Sequence, residues 1–513
     1  MKGKGMVVFL AIILGLGFVW SGDGRSAPAS AKRLIVAVGM EPVNLDPTLT
    51  GEGGDYPVVE NYGEYLIYRQ PNGELKPGLA TAWKVSPDGK VIEFTLRKGV
   101  KFHSGDPLTV KDVIFSYERG RTKNPVVKTR LTSVEKFELI DDYTLRVRFK
   151  EPDVTFLPLR GGQMIISKSH YDKVGEDAFI RQPVSTGPYK LVRHVSGEYV
   201  DLERFEDYWG PKPQVREVRF VFVSEDTTRL AKLKAGEVDF INSVPYPSVK
   251  ELETSKDFKT VRLALHHPTR GVIFQTLNPK TPWSDKRVRQ AMAHAIDRKA
   301  IIDNLLNGIP NLWAWQAPEE LGYDPAIKYR AYDPKKAKQL LAEAGYPNGF
   351  EIKFYWPVAG RVPMSREICE AITSYFEAVG IKTQLIGEEQ AAFYARRRAA
   401  KDPKVEFVCY FTAGLAGAVD PAYNLALYFS KDGAFSLFSN PEIDKITAEA
   451  KATINDAKRA ELIKKAVAIL QEEVPSIPIV NNVTVYGMKN NIEFTPTKKH
   501  NMDLILVRDI TVK

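Results

Sequence analysis

The chain has 513 residues, of which 44% are hydrophobic and 26% charged, and its formal charge is +9. That length exceeds what one hydrophobic core serves, so two or three domains are expected in a protein of ordinary globular composition. The basic balance does not mark a nucleic-acid binder: lysines and arginines interleave with acids along most helical stretches, as from Glu442 to Lys465, which gives a solvated face rather than a basic stripe.

The N-terminus reads as a secretory signal peptide over residues 1–31. Lys2 and Lys4 precede an apolar run from Met6 to Trp20, and A-x-A cleavage sites stand at Ala27 to Ala29 and Ala29 to Ala31. The run is shorter than the ~20 residues a spanning helix needs. No cysteine lies near the junction, so a lipid-anchored form is excluded and a Gram-negative periplasm is expected. Removing Lys2, Lys4, Asp23 and Arg25 leaves a mature charge of +7.

Residues 75 to 119, LKPGLATAWKVSPDGKVIEFTLRKGVKFHSGDPLTVKDVIFSYER, carry the densest local signals. Ser86, Pro87, Asp88 and Gly89 suit a type I turn, so the flanking strands fold back as a hairpin. Ile92, Phe94 and Leu96 alternate with Glu93, Thr95 and Arg97, the period of a strand with one buried face. Thr109 and Asp112 form a capping-box pattern ahead of Val110, Val113, Ile114 and Tyr117, which share one helical face. A second hairpin follows, with Tyr143, Leu145, Val147 and Phe149 alternating after an Asp141–Asp142 turn.

Further along, VREVRFVFV, a helix ending at Gly236 and a short strand at Val238–Ile241 give a βαβ order, which predicts a mostly parallel sheet. The second half has longer helices. Ser284 or Asp285 caps one, Asp297 caps its successor, which Gly308 ends, and Asp333 with Pro334 opens another that Gly345 closes. Ile368, Ala371, Ile372, Tyr375, Phe376 and Val379 mark a further helix stopped by Gly380, followed by a strand, IKTQLI.

In wording and order the 75–119 cassette resembles the family 5 extracellular solute-binding proteins, which deliver peptides, nickel chelates and oligosaccharides to bacterial ABC importers. The likeness continues through GMEPVNLDP at 39–47, VSTGPYKL at 184–191, RFEDYWGPKPQVREVRF at 204–220, LKAGEVDF at 233–240, NPKTPWSDKRVRQAMAHAIDRKAIIDNLLNG at 278–308, YDPKKAKQLLAEAGYPNGFEIKF at 332–354 and NPEIDKITAEA at 440–450. The resemblance implies an α/β fold of two lobes joined by a hinge, with an extra α+β domain inserted in lobe I. Its boundaries would be lobe I at 32–53, 186–274 and 482–513, the insertion at 54–185 and lobe II at 275–481. Two crossings would then form the hinge, one near Gln275 and Asn278, the other near Ile479 and Asn481.

No G-x-S-x-G, H-E-x-x-H, C-x-x-C, P-loop or G-x-G-x-x-G motif occurs, which argues against a hydrolase, a zinc enzyme or a nucleotide user. No metal site and no cofactor are expected. His266 and His267 are adjacent on a likely strand, where alternation sends them to opposite faces. Cys369 and Cys409 read as buried thiols rather than a disulfide.

Ligand contacts are expected between the lobes. The resemblance implies that Arg361, just after a lobe II strand, clamps a ligand carboxylate, a task suited to a planar guanidinium. It also implies an aspartate shortly before the D-P pair to hold an α-ammonium. Here that stretch reads Gly414, Leu415, Ala416 and Gly417, with no acid until Asp420, so either Asp420 substitutes or the ligand lacks that group. Tyr56, Tyr246, Trp313, Trp315, Trp356 and Tyr410 offer rings for stacking. Thr412 adds a hydroxyl, and Gly187 of STGPY offers a backbone amide. The expected function is a monomeric periplasmic receptor, not an enzyme, that captures a small organic ligand, carboxylated or peptide-like, and passes it to an inner-membrane ABC permease. A ligand-presenting sensor protein for a chemoreceptor and a secreted hydrolase are the alternatives.

Overall fold

The protein is described from a computed structural model at residues 33–50, 54–69, 74–159, 163–263, 269–358, 364–415, 420–481, 483–495 and 505–513. The expected leader at 1–31 and the His266–His267 pair lie outside these residues. Among the described residues no helix is long and apolar enough to cross a membrane.

Lobe I is built on a seven-stranded sheet whose middle strand, Leu34–Val38, pairs in parallel with Glu217–Phe222 on one side and Phe240–Ile241 on the other. The helix Asp226–Lys234 makes the crossover between those two flanking strands, and Gly236 ends it at φ +76°. Both faces of the sheet are covered. Val218 and Phe220 join Tyr189 and Tyr486 in one apolar cluster, while Ala37 and Ile241 pack with Leu230 and Leu233 in another.

Lobe II carries a five-stranded sheet in the order Lys382–Glu388, Glu351–Pro357, Val408–Thr412, Thr269–Phe274, Ser476–Asn481. Its helices start where the sequence places their caps: Asp285 accepts from Arg287 N, Asp297 from Ala300 N and Asp333 from Lys336 N. Buried arginines fasten the helices to the sheet. Arg298 donates to Pro478 O at 2.7 Å and Arg330 O at 2.7 Å, and Arg289 to four carbonyls between Trp283 and Val474. Burial drags both guanidinium groups down to about 10.

The first crossing is not where the sequence suggests. Thr269–Phe274 pairs antiparallel with Val408–Thr412 and Ser476–Asn481, so it belongs to lobe II, whereas the preceding described strand, Phe258–Leu263, pairs in lobe I. Gln275 and Asn278 are consequently interior to lobe II. Gln275 Oε1 accepts from Asn278 N at 3.1 Å, its amide donates to Asp402 O, and its carbonyl accepts from Trp283 Nε1 at 2.9 Å. Thr269–Phe274 is buried throughout, which announces burial but not its partner, and the boundary implied by the resemblance left it in lobe I. The second crossing lies between Asn481 and Thr484, where Ser476–Asn481, with Ile479 buried in it, gives way to the lobe I strand Thr484–Lys489.

The 75–119 cassette folds as a unit with the second hairpin, giving a four-stranded antiparallel sheet of Ala80–Val85, Val91–Leu96, Thr144–Phe149 and Val134–Asp141. Gly89 N closes the turn on Ser86 O at 2.9 Å, and Thr109 N bonds Asp112 Oδ2 at 2.9 Å ahead of the helix Val110–Lys123. This unit docks on lobe I through residues of the family-like motifs. The buried Asp46 pairs with Arg119 at 3.0 Å, and His103 bridges the turn at Gly187, its Nε2 against Gly187 O at 3.0 Å and its Nδ1 accepting from Ser185 N.

Two expected outcomes test this construction. At Gly271 a Cβ would stand 1.9 Å from Ile477 O, at the bulge where the two lobe II strands approach, so Gly271→Ala forces backbone apart. Denaturant titration is expected to show a loss of about 3 kcal/mol. His103 uses one nitrogen as donor and the other as acceptor, which demands the neutral ring, and burial holds its pKa near about 4 against an ordinary 6.5. A folded-state pKa below the unfolded one means that the neutral ring's contribution is complete above about pH 6.5 and is lost as pH falls toward 4. Melting curves from pH 7 to 4.5 should therefore show the parent losing stability relative to His103→Gln, and parallel curves would contradict the assignment.

Candidate functional site

Several described contacts join lobe II to lobe I and the four-stranded unit. Arg130 closes the helix Pro125–Arg130, which Asn124 opens by accepting from Val126 N and Val127 N. Its Nη2 donates to Tyr56 Oη and its Nε to Tyr423 Oη, both at 3.1 Å, so one guanidinium bridges a lobe I tyrosine and a lobe II tyrosine. Lys451 pairs with the buried Asp153 at 3.1 Å, and Val154 N donates to Lys451 O at 3.0 Å. On the other flank Met364 N, at the start of the lobe II helix Ser365–Glu377, donates to Asp226 Oδ2 at 3.1 Å. A Cβ on Gly54 would lie 2.8 Å from Gln390 Nε2, so the lobes touch there as well.

Behind this boundary the strand Val408–Thr412 presents Tyr410, Phe411 and Thr412. Arg270 Nη1 donates to Thr412 Oγ1 at 2.9 Å, and the Arg270 guanidinium sits 5.2 Å from the Phe411 ring centroid. Arg397, from the helix Gln390–Ala399, lies 4.5 Å from the same ring and 4.6 Å from Phe435, against which Tyr428 stacks at 5.5 Å. Tyr428 ionises above its ordinary value because of burial, an effect that Arg397 and Arg270 oppose. Among the described residues no carboxylate bonds to Arg130 or Arg397. The wall is thus cationic and aromatic, chemistry suited to a planar anion.

The sequence candidates fall in several places. Arg361 lies outside the described residues, as do Ala416 and Gly417. Asp420 is committed elsewhere: one oxygen caps Ala422 N at 2.9 Å, and the other pairs with the buried Arg459. That pairing removes it as a counter-charge for an ammonium. Tyr56 stands at the boundary as described. Tyr410 is buried, its hydroxyl has no hydrogen-bond partner among the described residues, and burial lifts its ionisation well above normal. Thr412 holds Arg270. Tyr246 is a core residue whose hydroxyl donates to Val483 O at 3.1 Å. Gly187 offers no free amide, because its N–H bonds Tyr62 O at 2.9 Å.

The three tryptophans do not form one surface. Trp356 borders a polar crevice of about 110 Å³ with Asp226, Arg229 and Glu367 between the lobes. Trp313 and Trp315 line a separate pocket of about 130 Å³ with Tyr323, Lys328 and Tyr329, and the Trp315 indole donates to Gln471 Oε1. The Trp-Ala-Trp spacing sends both rings to that pocket, away from Trp356. Cys369 and Cys409 are free buried thiols, and burial pushes the Cys409 thiol up to about 12.

Arg130, Arg270, Gln390, Arg397, Tyr423 and Tyr428 were not singled out by the sequence. One signal was present: in QAAFYARRRA, Gln390, Phe393, Tyr394 and Arg397 share a helical face, so the middle arginine of a run of three falls on the apolar side while Arg396 and Arg398 face water.

Comparison with known proteins agrees with this architecture. The family model for bacterial extracellular solute-binding proteins, family 5 middle, matches residues 74–436. Heme-binding protein A of Haemophilus influenzae is 31% identical over 499 residues, covering 89% of this chain and 88% of that protein. The glutathione-binding protein GsiB of Escherichia coli O1:K1 is 28% identical over 480 residues, covering 91% and 92%. Among solved structures, the ABC transporter-associated periplasmic binding protein DppA of Helicobacter pylori, in complex with the peptide STSA, superposes with a TM-score of 0.84 at 26% identity, covering 94% of this chain and 98% of that one. These relatives are binding proteins rather than enzymes. With the two α/β lobes in contact across Arg130 and the family match spanning most of the sequence, the chain belongs to the bacterial extracellular solute-binding proteins of family 5.

Proposed function

We infer that this protein is the periplasmic receptor of an ABC importer, secreted by a cleaved leader and monomeric, which closes its lobes on a small carboxylated organic ligand and presents the closed form to a permease. The observation that carries the ligand class is the wall of Arg270 and Arg397 over Phe411, while Asp420 is paired with Arg459. A cationic chamber favours an anion, and the commitment of Asp420 to Arg459 means that any α-ammonium the guest carries is met by another group. The relatives' printed ligands, heme, glutathione and a peptide, all bear carboxylates, which supports the same class. Arg361 remains the proposed clamp for one such carboxylate.

Closure works as a population shift: a ligand that touches both lobes binds the closed form better and draws the equilibrium toward it. Arg130 is the natural latch, because its two hydrogen bonds end on different lobes.

Two measurements test the reading. In a thermal-shift screen of dipeptides, glutathione, opines, aromatic acids, sugars and metal chelates, a carboxylate at 100 times its Kd should stabilise the protein by roughly 2.7 kcal/mol. Arg361→Ala should abolish that shift, and a screen in which only sugars or uncharged compounds respond would sink the anion assignment. Arg130→Ala should weaken the affinity of the same hit about tenfold, near 1.4 kcal/mol, and raise the radius of gyration of the ligand-free protein in small-angle scattering. An unchanged radius and affinity would show that Arg130 is no latch.

A further inference from the structure

A buried cation ordinarily has its donors satisfied, and this chain shows how. Arg229, Arg289 and Arg298 direct their guanidinium groups onto backbone carbonyls, at distances from 2.6 to 3.4 Å. Arg397 departs from that pattern further than Arg119, which leaves one enclosed nitrogen, Nε, without a partner among the described residues where Arg397 leaves two. It is 4% exposed, yet only Nη2 has an acceptor, Phe435 O at 3.1 Å, while Nε and Nη1 are enclosed and have none among the described residues. Leaving charged donors dry and unpaired is among the costliest arrangements in a folded protein.

The surroundings do not neutralise it. Phe411 and Phe435 lie against the guanidinium at 4.5 and 4.6 Å, which partly offsets the charge but accepts no ordinary hydrogen bond. Arg270 reaches the same ring, and Lys401, whose ammonium is deprotonated more readily because of burial and then Arg397, adds a third cation. Two turns along the same helix face, Gln390 Nε2 is likewise buried without an acceptor among the described residues, and it lies beside Gly54. One face of one helix therefore carries two sets of donors unmet among the described residues: Gln390 touches lobe I, and Arg397 lies against Phe435, which packs on a cluster joining Val126 and Leu159 to Tyr423 and Leu427 of lobe II.

We propose that Arg397, assisted by Gln390, forms a binding subsite for a carboxylate of the ligand, distinct from the carboxylate assigned to Arg361, so that the guest carries at least two acidic groups. The proposal rests on the receptor reading above and adds to it a residue and a charge count. Burial keeps water from Arg397, so the ligand's oxygens are the acceptors that complete its donor set, and the aromatic sandwich holds the guanidinium plane in register for them.

The test uses the mature protein and isothermal titration with three probes: glutathione, with two carboxylates, the dipeptide Ala-Ala, with one, and inorganic phosphate. Arg397→Met keeps an unbranched apolar stem between the phenyl rings, and Arg397→Lys keeps the charge. The expected result is that glutathione binds the parent, that Arg397→Met weakens it at least tenfold, that Arg397→Lys recovers part of the loss, and that the ligand-free melting temperature of Arg397→Met is equal to or above the parent's, since an unpaired cation has been removed. Equal glutathione affinity in parent and Arg397→Met overturns the subsite and leaves the receptor reading standing. A melting temperature several degrees lower in ligand-free Arg397→Met also overturns it, by showing a structural strut. Binding of Ala-Ala as tight as that of glutathione, or an Arg397-dependent response to phosphate alone, overturns the second-carboxylate assignment, while no binding of any carboxylate probe overturns both this subsite and the ligand class on which it rests.

Discussion

The relation of the two lobes depends on one buried amide. Asn481 ends the last lobe II strand, and its Nδ2 donates to Thr269 Oγ1 at 2.7 Å, at the start of the first lobe II strand. Its Oδ1 accepts from Trp313 N at 2.8 Å, and its backbone pairs in both directions with Asn311. The residues flanking the two chain crossings are thus tied to each other, and every polar atom of that side chain has a partner in a fully buried place. A satisfied buried network of this kind fixes position strongly, because breaking any one bond leaves a dry donor or acceptor. Ala413 N on Thr269 O and Ser476 Oγ on Ala413 O extend the knot into the neighbouring strands. What stays adjustable is the short backbone beyond the knot, and that is where a rigid-body motion of one lobe against the other would have to be absorbed.

Besides Arg119 and Arg459, which pair with carboxylates, the buried arginines discussed above divide into two kinds, and the division separates scaffold from site. Arg229, Arg289 and Arg298 clamp chain segments through carbonyls, and desolvation lowers each guanidinium to about 10 without removing its proton at neutral pH. Arg298 grips Pro478, three residues before Asn481, so the scaffold arginines reinforce the same crossing region. Arg130 instead bridges phenols across the lobe boundary, and Arg397 has a single carbonyl, with two further nitrogens unmet among the described residues. The same residue type serves opposite ends because a carbonyl cage is self-sufficient, whereas an incomplete donor set is complete only with a guest.

Local signals were legible in the sequence and long-range ones were not. The Ser86–Gly89 turn, the Thr109–Asp112 capping box and the Asp285, Asp297 and Asp333 caps all stand where residue chemistry placed them, since each depends on neighbours within a few positions. The strand Thr269–Phe274 fell in the wrong lobe under the boundary the resemblance implied, and its six buried positions say nothing about which sheet they join. The tryptophans failed for a related reason: Trp313 and Trp315 follow a lobe II loop onto their own pocket, while Trp356 ends a strand at the lobe boundary. Arg397 was hidden in a charge run whose flanking arginines are solvent-facing, so only the helical phase distinguishes it.

The motifs that made the family recognisable turn out to build the frame. In GMEPVNLDP, Asp46 pairs with Arg119, and Pro47 O accepts from Gln163 Nε2 at 2.7 Å. In STGPY, Thr186 Oγ1 donates to Glu64 Oε2 and Tyr189 Oη to Val215 O. In RFEDYWG, Tyr208 and Trp209 each donate at 2.9 Å to the same buried Glu64, whose carboxyl pKa is raised by burial and held back by these bonds. Residues so engaged have no donor left for a passing solute. It follows that resemblance in these motifs reports the scaffold, and that ligand choice is written in residues such as Arg397, Gln390 and Tyr428 that belong to no recognisable motif. Two chains of this family sharing every motif could therefore bind unlike guests, and the residue to compare between them is the one on the boundary face of Gln390–Ala399, where a change of a single side chain alters the charge offered to the ligand without touching the frame.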